Sequence, residues 1–313
     1  SSISGQGLAG ALVGRSDGTV EYDYAIGGSV TVAQHGAGGL VGQSSGSIKN
    51  SYATDSVAGL NSGVASTAIG GLVGSMLTGS TISNSYATGS VSGAGDVGAL
   101  VGQNSGTVST SYWNTDTSGT TAGIGAAYSG ATTSGTTGLT SAQMMQQASF
   151  AGFDFSSPVW VIYNGHTAPL LNVFLTPLTV TASSQSQTYT GGTFALLNPT
   201  YSVAGADTSG HLFGNLTDAY NGAVNVGSYS PGLWSDQQGY RITLVGGTLT
   251  IPPKALSLSG LSASNKVYDG STVASISGWG SLVGVVGGDA VSLVYSGTMA
   301  NFADANAGTG KTV

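Results

Sequence analysis

The sequence predicts an almost all-β chain, a repeat-built β-solenoid followed by small β-rich modules in tandem. Three observations carry that expectation. Only 6% of the 313 residues are charged and 53 are glycine, whereas ordinary soluble domains carry roughly 25% charged residues. Ser, Thr and Gly are poor helix interiors, while Thr and Val suit pleated surfaces. The tripeptide Leu-Val-Gly recurs at Leu12, Leu40, Leu72 and Leu100, with spacings of 28, 32 and 28 residues. A tyrosine follows each copy at Tyr24, Tyr52, Tyr86 and Tyr112, offset by 12, 12, 14 and 12. Self-similarity at such a period marks a solenoid or array.

Each unit spells out its own structure. Leu-Val forms a short apolar strand and the next glycine turns it, so Gly14, Gly42, Gly74 and Gly102 are expected to set corners through positive φ. Gly18-Thr19-Val20, Gly46-Ser47-Ile48, Ser80-Thr81-Ile82 and Gly106-Thr107-Val108 start a second strand; the third copy carries two extra residues near Met76 and Leu77. Ser-Tyr-Ala-Thr supplies a third strand, and Gly-Ser-Val begins the return. A strand this short needs a neighbour for its backbone groups and its aliphatic side. Stacking like units provides both, and the four tyrosines should form a ladder. The units are short for propeller blades of about 40–45 residues.

Residues 115–141 are low in complexity and read as a loop. Ser141 then N-caps the one expected helix, with Met144, Met145 and Ala148 on its apolar face. Trp160, Ile162, Pro169 and Leu170 follow, and residues 139–175 read as a C-terminal cap. From Leu178 the alternation of "LTVTASSQSQTYTGG" marks a new module, closed by "YRITLVGGTLTIPPKAL". A further unit begins near Leu256. Both ends of the sequence look cut in mid-unit.

The segments "GGLVGQSSGSIKNSYATDSV", "GGLVGSMLTGSTISNSYATGSV" and "GALVGQNSGTVSTSYWNTDTSG" resemble the GLUG repeat of large bacterial surface exoproteins, over residues 1–120. The last copy departs from the pattern, Tyr112-Trp113-Asn114 standing where Tyr-Ala-Thr is expected, as in a capping repeat. In GLUG-type exoproteins a similar Trp…Gly…Pro-Leu segment closes the array, which assigns 121–177 to linker and cap. Residues 178–255 are similar to MBG modules, through Leu178-Thr179-Val180-Thr181-Ala182 and Gly247-Thr248-Leu249-Thr250-Ile251. Residues 256–313 resemble a YDG module, read as incomplete, through Asn265-Lys266-Val267-Tyr268-Asp269-Gly270-Ser271-Thr272 and Asn306-Ala307-Gly308-Thr309-Gly310-Lys311.

Several function classes lose ground on composition alone. Six Lys and Arg are scattered singly against 13 acids, a net charge of −7. Nucleic acid needs a basic stripe to neutralise phosphates, and there is none. No run of about 18 apolar residues offers a spanning helix, so membrane insertion is not expected. Without cysteine there is neither a disulfide framework nor a thiolate ligand. His35, His166 and His211 stand far apart, outside any zinc spacing. Asp17, Glu21 and Asp23 cluster, but a solvated acidic edge accounts for them better than a glycosidase pair. No catalysis and no cofactor are expected; an incidental calcium at Asp-rich turns is the one exception entertained. Asn215-Leu216-Thr217 is a lone N-x-S/T triplet.

The resemblance implies a structural or adhesive segment of a large bacterial surface protein, extracellular, acting as a rigid stalk in cell-surface or biofilm attachment. Its expected partners are host or neighbouring-cell surfaces, glycans among them. Two other readings stand beside it. One is a filament subunit joined head to tail. The other is a carbohydrate-binding module using Trp113, Trp160 or Trp234, with burial in a cap as the competing role for Trp160.

Overall fold

The computed structural model describes residues 2–60, 67–157, 159–194, 200–203, 206–207, 220 and 223–313. His211 and the Asn215-Leu216-Thr217 triplet lie outside the described residues. Two compact units emerge: Ser1–Val180 with Tyr201–Thr217 and Leu233–Thr243, and Thr181–Thr200 with Asp218–Gly232 and Leu244–Val313.

The first unit is a β-solenoid. Coil 1 comprises β1 (Ser2–Gly5), β2 (Ala9–Gly10), β3 (Val13–Ser16), β4 (Thr19–Glu21) and β5 (Tyr24–Ala25). Coil 2 repeats it as β6 (Ser29–Val32), β7 (Gly36–Gly38), β8 (Val41–Ser44), β9 (Ser47–Lys49) and β10 (Tyr52–Ala53). Coil 3 holds β11 (Ser56–Gly59), β12 (Ala68–Gly70), β13 (Val73–Met76), β14 (Thr81–Ser83) and β15 (Tyr86–Ala87). Coil 4 holds β16 (Val91–Ser92), β17 (Asp96–Gly98), β18 (Val101–Asn104), β19 (Thr107–Ser109) and β20 (Ser111–Asn114). Five strands per coil, rather than three and a return, stack into five parallel sheets. The register keeps like on like: Val13, Val41, Val73 and Val101 align, as do Tyr24, Tyr52, Tyr86 and Tyr112.

The stretch read as a loop is a fifth, partial coil. β21 (Ile124–Ala127) pairs parallel with β18, and β22 (Thr136–Leu139) pairs parallel with β20. Its small Thr, Ser, Gly and Ala residues hid the alternation that marks a strand. The helix is a single turn, α1 (Ser141–Met144), capped by Thr140 rather than Ser141. Thr140 accepts from the Gln143 amide, and the Gln143 side chain reaches back to the Thr140 N–H, a reciprocal capping box. Only Met144 of its expected apolar face is buried.

Two hydrophobic columns fill the coils. One, bounded by the third, fourth and fifth sheets, stacks Leu40, Leu72 and Leu100, the four valines, Val20, Ile48, Ile82 and Val108, and Ala25, Ala53 and Ala87. The other lies between the first and second sheets, with Val30, Val57 and Val91 facing Ala37 and Ile69. Between the columns the second and third sheets approach backbone to backbone. A Cβ on Gly38 would sit 2.0 Å from the Val41 carbonyl oxygen, and one on Gly74 would sit 2.7 Å from the Ala37 nitrogen.

That approach corrects the role expected of the repeat glycines. Gly14, Gly42, Gly74 and Gly102 lie inside β3, β8, β13 and β18, and none of them has positive φ. They exclude a side chain. The left-handed corner falls instead two residues before each tyrosine, at Tyr22, Asn50, Asn84 and Thr110, with φ between 44° and 60°.

The second unit gathers Ala182, Tyr220, Ala223, Leu249 and Ile251 into a small core. There Leu249–Ile251 pairs with Gln185–Ser186 in parallel and with Gly227–Tyr229 antiparallel. Further on, Ser257–Ala263 pairs antiparallel with Ile276–Val283, and Val273–Ala274 with Ala300–Asn301. Ala274 is the one buried residue between 252 and 313.

Candidate functional site

The most elaborated surface of the solenoid is its tyrosine face, and the spelling Asn-Ser-Tyr-Ala builds it one residue at a time. The left-handed residue breaks the parallel ladder for one step. Asn tolerates that conformation better than most residues, because its short polar side chain bonds locally. The next residue, serine, closes the gap. Ser85 Oγ donates to the Ser83 carbonyl at 2.8 Å and accepts from the Ser51 N–H at 3.2 Å. Ser51 does the same with Lys49 and the Asp23 N–H, and Ser111 with Ser109 and the Ser85 N–H. All three serines are fully buried. Alternation then turns Tyr outward and Ala inward.

The tyrosine rings stack. Tyr24 and Tyr52 lie 5.6 Å apart at 14°, and Tyr52 and Tyr86 lie 4.7 Å apart at 4°. Tyr112 keeps the backbone register, and its ring meets Phe150 and Phe153 edge-on. Such arrangements add about 0.5–1.5 kcal/mol per aromatic pair beyond area burial.

Residues 139–175, expected to cap the end of the array, instead run along its side. Phe150 and Phe153 pack on Tyr112, Trp160 on Tyr86 and Tyr52, and Phe174 on Tyr24. The segment thus crosses all four coils, from the last back to the first. A short hairpin of β23 (Trp160–Val161) and β24 (Leu170–Leu171) holds its middle. Every phenol finds a partner: Tyr86 Oη donates to the Pro169 carbonyl at 2.6 Å, and Tyr112 Oη to that of Ala151 at 2.8 Å. Tyr52 Oη donates at 2.8 Å to Gln237 Oε1, which also accepts from the Leu171 N–H, while Gln237 Nε2 donates to the Leu171 carbonyl. Gln238 Nε2 donates to Tyr24 Oη at 3.0 Å. Burial raises the Tyr52 and Tyr86 phenols well above the ordinary tyrosine value, because a phenolate there would lose its water.

None of the three tryptophans presents a free platform of the kind a sugar needs. Trp160 is 1% exposed, inside the aromatic cluster. Trp113 takes the inward position of Ala87 and plugs the core beneath coil 4. Gly123 and Gly138 make room for it, since a Cβ on Gly123 would come within 2.5 Å of its ring. Trp234 is half-buried, with His166 stacked on it at 5.7 Å and 6°.

The acids of the first coil do not converge. Asp17 is held below its usual range by the Ser45 hydroxyl and then by Arg15; Glu21 is held down by Lys49, which sits 2.8 Å away on the next coil. Asp23 is raised by burial. Among the described residues no group of three or more His, Asp or Glu gathers around a point that could hold a metal ion. Among the described residues no helix is long and apolar enough to cross a membrane.

Sequence reasoning missed Gln237 and the Phe150, Phe153 and Phe174 partners. The signal for the phenylalanines was present: a strip rich in aromatics following four evenly spaced tyrosines. Gln237 carries no such signal.

The family model of the GLUG motif matches residues 33–58 and 65–92, and that of the YDG domain matches residues 252–313. The GLUG matches fall on coils 2 and 3, whose geometry coil 1 and coil 4 repeat strand for strand. Comparison with curated proteins and with solved structures finds no match.

Proposed function

We propose that this chain is a non-catalytic structural segment of a bacterial extracellular surface protein, a stiff stalk that serves attachment between surfaces. The observation that carries the reading is the side brace. Four coils held in register, with their tyrosine face covered along its whole length, form an element that resists bending between coils. The GLUG and YDG matches support the surface setting. A surface with few charges and many hydroxyls suits a spacer that holds no counter-charged ligand of its own.

The test is proteinase K treatment of intact producing cells, followed by immunodetection of the chain and of a cytosolic marker. The reading expects the chain to be lost while the marker survives. Protection of the chain until lysis contradicts it.

Head-to-tail assembly is a second reading, and one observation favours it. Every strand of coil 1 pairs on one side only, and Leu12 is 46% exposed where Leu40, Leu72 and Leu100 are fully buried. An open row of N–H and C=O groups beside an apolar residue is a template for another coil, which a preceding stretch of the same chain supplies as well as a second copy does. Light scattering decides it: a mass constant at 30.6 kDa across concentration removes this reading, and a climbing mass supports it.

A further inference from the structure

The strap that covers the tyrosine face also turns the chain round. The coils advance from coil 1 to coil 4, and the strap then runs back against them. Phe150 and Phe153 meet Tyr112, Trp160 meets Tyr86 and Tyr52, and Phe174 meets Tyr24 at 4.9 Å and 76°. The run that passes through β1 into coil 1 therefore leaves the solenoid beside coil 1 again, through the buried Leu175. A cap on the far end would instead have sent the chain out beyond coil 4.

A second segment, residues 233–243, grips the same place. Gln238 Nε2 donates to Tyr24 Oη at 3.0 Å. Gln237, 4% exposed, joins three pieces of chain with one amide. Its Oε1 accepts from Tyr52 Oη at 2.8 Å and from the Leu171 N–H at 2.7 Å, and its Nε2 donates to the Leu171 carbonyl at 2.9 Å. The Thr176 N–H donates to the Gly239 carbonyl at 3.0 Å. Tyr163 Oη donates to the Tyr240 carbonyl at 2.6 Å and accepts from the Ile242 N–H at 3.1 Å. These bonds clip the end of the strap where it meets coils 1 and 2. The phenols of coils 3 and 4 bond to the strap itself, Tyr86 at Pro169 and Tyr112 at Ala151.

We propose that tension along this chain is carried across coils 1 and 2 alone, and that coils 3 and 4 form an arm outside the line of load. Force applied to a chain follows the backbone until contacts bridge the entering strand to the leaving one. Here the bridge runs from Tyr24 and Tyr52 into Phe174, Gln238 and Gln237. Coils 3 and 4 lie in the loop of chain that this bridge closes, and a closed loop bears no tension while its neck holds. The neck consists of ring contacts and single hydrogen bonds, so it is the first part to give and the far coils are the last. Within the stalk reading, the solenoid becomes an arm held at its neck rather than a link crossed by the load. The arrangement depends only on the geometry of this unit, so failure of the cell-surface test leaves it standing.

The test is constant-force optical tweezers on the full chain. The sequence has no cysteine, so thiol handles introduced by Ser4→Cys and Ser183→Cys, both at exposed positions, are unique and load the neck along the chain. The readout is the lifetime before the first extension, because forced unfolding follows the rate at which the first barrier is crossed. Phe174→Ala, at the neck, should shorten that lifetime about fivefold, the scale of one lost aromatic pair. Gln237→Ala should shorten it as well. Phe150→Leu, at the Tyr112 contact on coil 4, should leave the lifetime at its wild-type value. In equilibrium denaturation the order should invert, Phe150→Leu costing more than Phe174→Ala, since Phe150 is 3% exposed and Phe174 43%. A lifetime shortened as much by Phe150→Leu as by Phe174→Ala would place coil 4 in the line of load and overturn the proposal. So would a lifetime that neither Phe174→Ala nor Gln237→Ala changes.

Discussion

At the scale of single residues, two backbone requirements set the repeat, and they fall on different positions. One is the absence of a side chain where the second and third sheets touch. Gly74→Ala would place a Cβ 2.5 Å from the Gly42 carbonyl oxygen and 2.7 Å from the Ala37 nitrogen, neither of which can swing aside. Equilibrium denaturation should show a loss of about 3 kcal/mol or more. Gly18→Ala is the control, since nothing lies within 4 Å of its added Cβ, and it should be nearly neutral. The other requirement is the left-handed residue before each Ser-Tyr pair. Asn50 and Asn84 meet it cheaply, but the β-branched Thr110 at φ 44° does not. Thr110→Asn should therefore raise stability by about 1 kcal/mol, measured as an increase in Tm, and Asn84→Ala should lower it by a similar amount. The sequence held both facts in plain sight: Asn recurs ahead of Ser-Tyr, and Gly recurs after Leu-Val. Which of the two made the corner was not legible, because glycine serves both purposes and only the φ angles separate them.

At the scale of elements, the brace and the tyrosine ladder stabilise each other. Trp160 sits at the centre of their shared cluster, against Tyr52, Tyr86 and Phe153. Trp160→Ala should cost about 3–5 kcal/mol in chemical denaturation, the usual range for removing a fully buried tryptophan. The ladder also has a pH signature. Because the folded phenols of Tyr52 and Tyr86 titrate above the unfolded value of 10.0, the unfolded chain releases those protons first as pH rises. Their contribution is complete below pH 10 and falls from there, by about 1.4 kcal/mol per pH unit for each tyrosine. Denaturation midpoints followed from pH 8 to 11 should be flat up to about 10 and then drop. A profile that stays flat to pH 11 would mean the rings are not sealed. The repeat tyrosines were legible as a ladder from spacing alone. Their covering was not, because a strap of Phe and Trp at irregular intervals has no period to read, and its run against the array direction is a tertiary fact. The fifth partial coil was hidden for a related reason: residues 124–139 are too small in side chain to show alternation, and they are placed by the strands of coil 4 beneath them.

At the scale of the whole molecule, two kinds of construction share one chain. The solenoid closes its core with large columns of Leu, Val and Ile, and seals its end with Trp113. The segment from 252 onward buries only Ala274 and rests on strand pairing and turns; there Lys266 holds the Asp269 carboxyl down to about 2 at the head of the YDG match. Composition announced both as β-rich, and the Leu-Val-Gly and Asn-Lys-Val-Tyr-Asp-Gly spellings distinguished them. The central claim is that coils and brace form a single cooperative rod. Native-state hydrogen exchange read by mass spectrometry tests it most directly, because a cooperative unit opens with one free energy. Peptides covering β10, β15 and β20 should exchange at the same slow rate as peptides covering 150–171, and Trp160→Ala should accelerate both sets together. A strap that exchanges orders of magnitude faster than the coils, with the coils unmoved by Trp160→Ala, would contradict it.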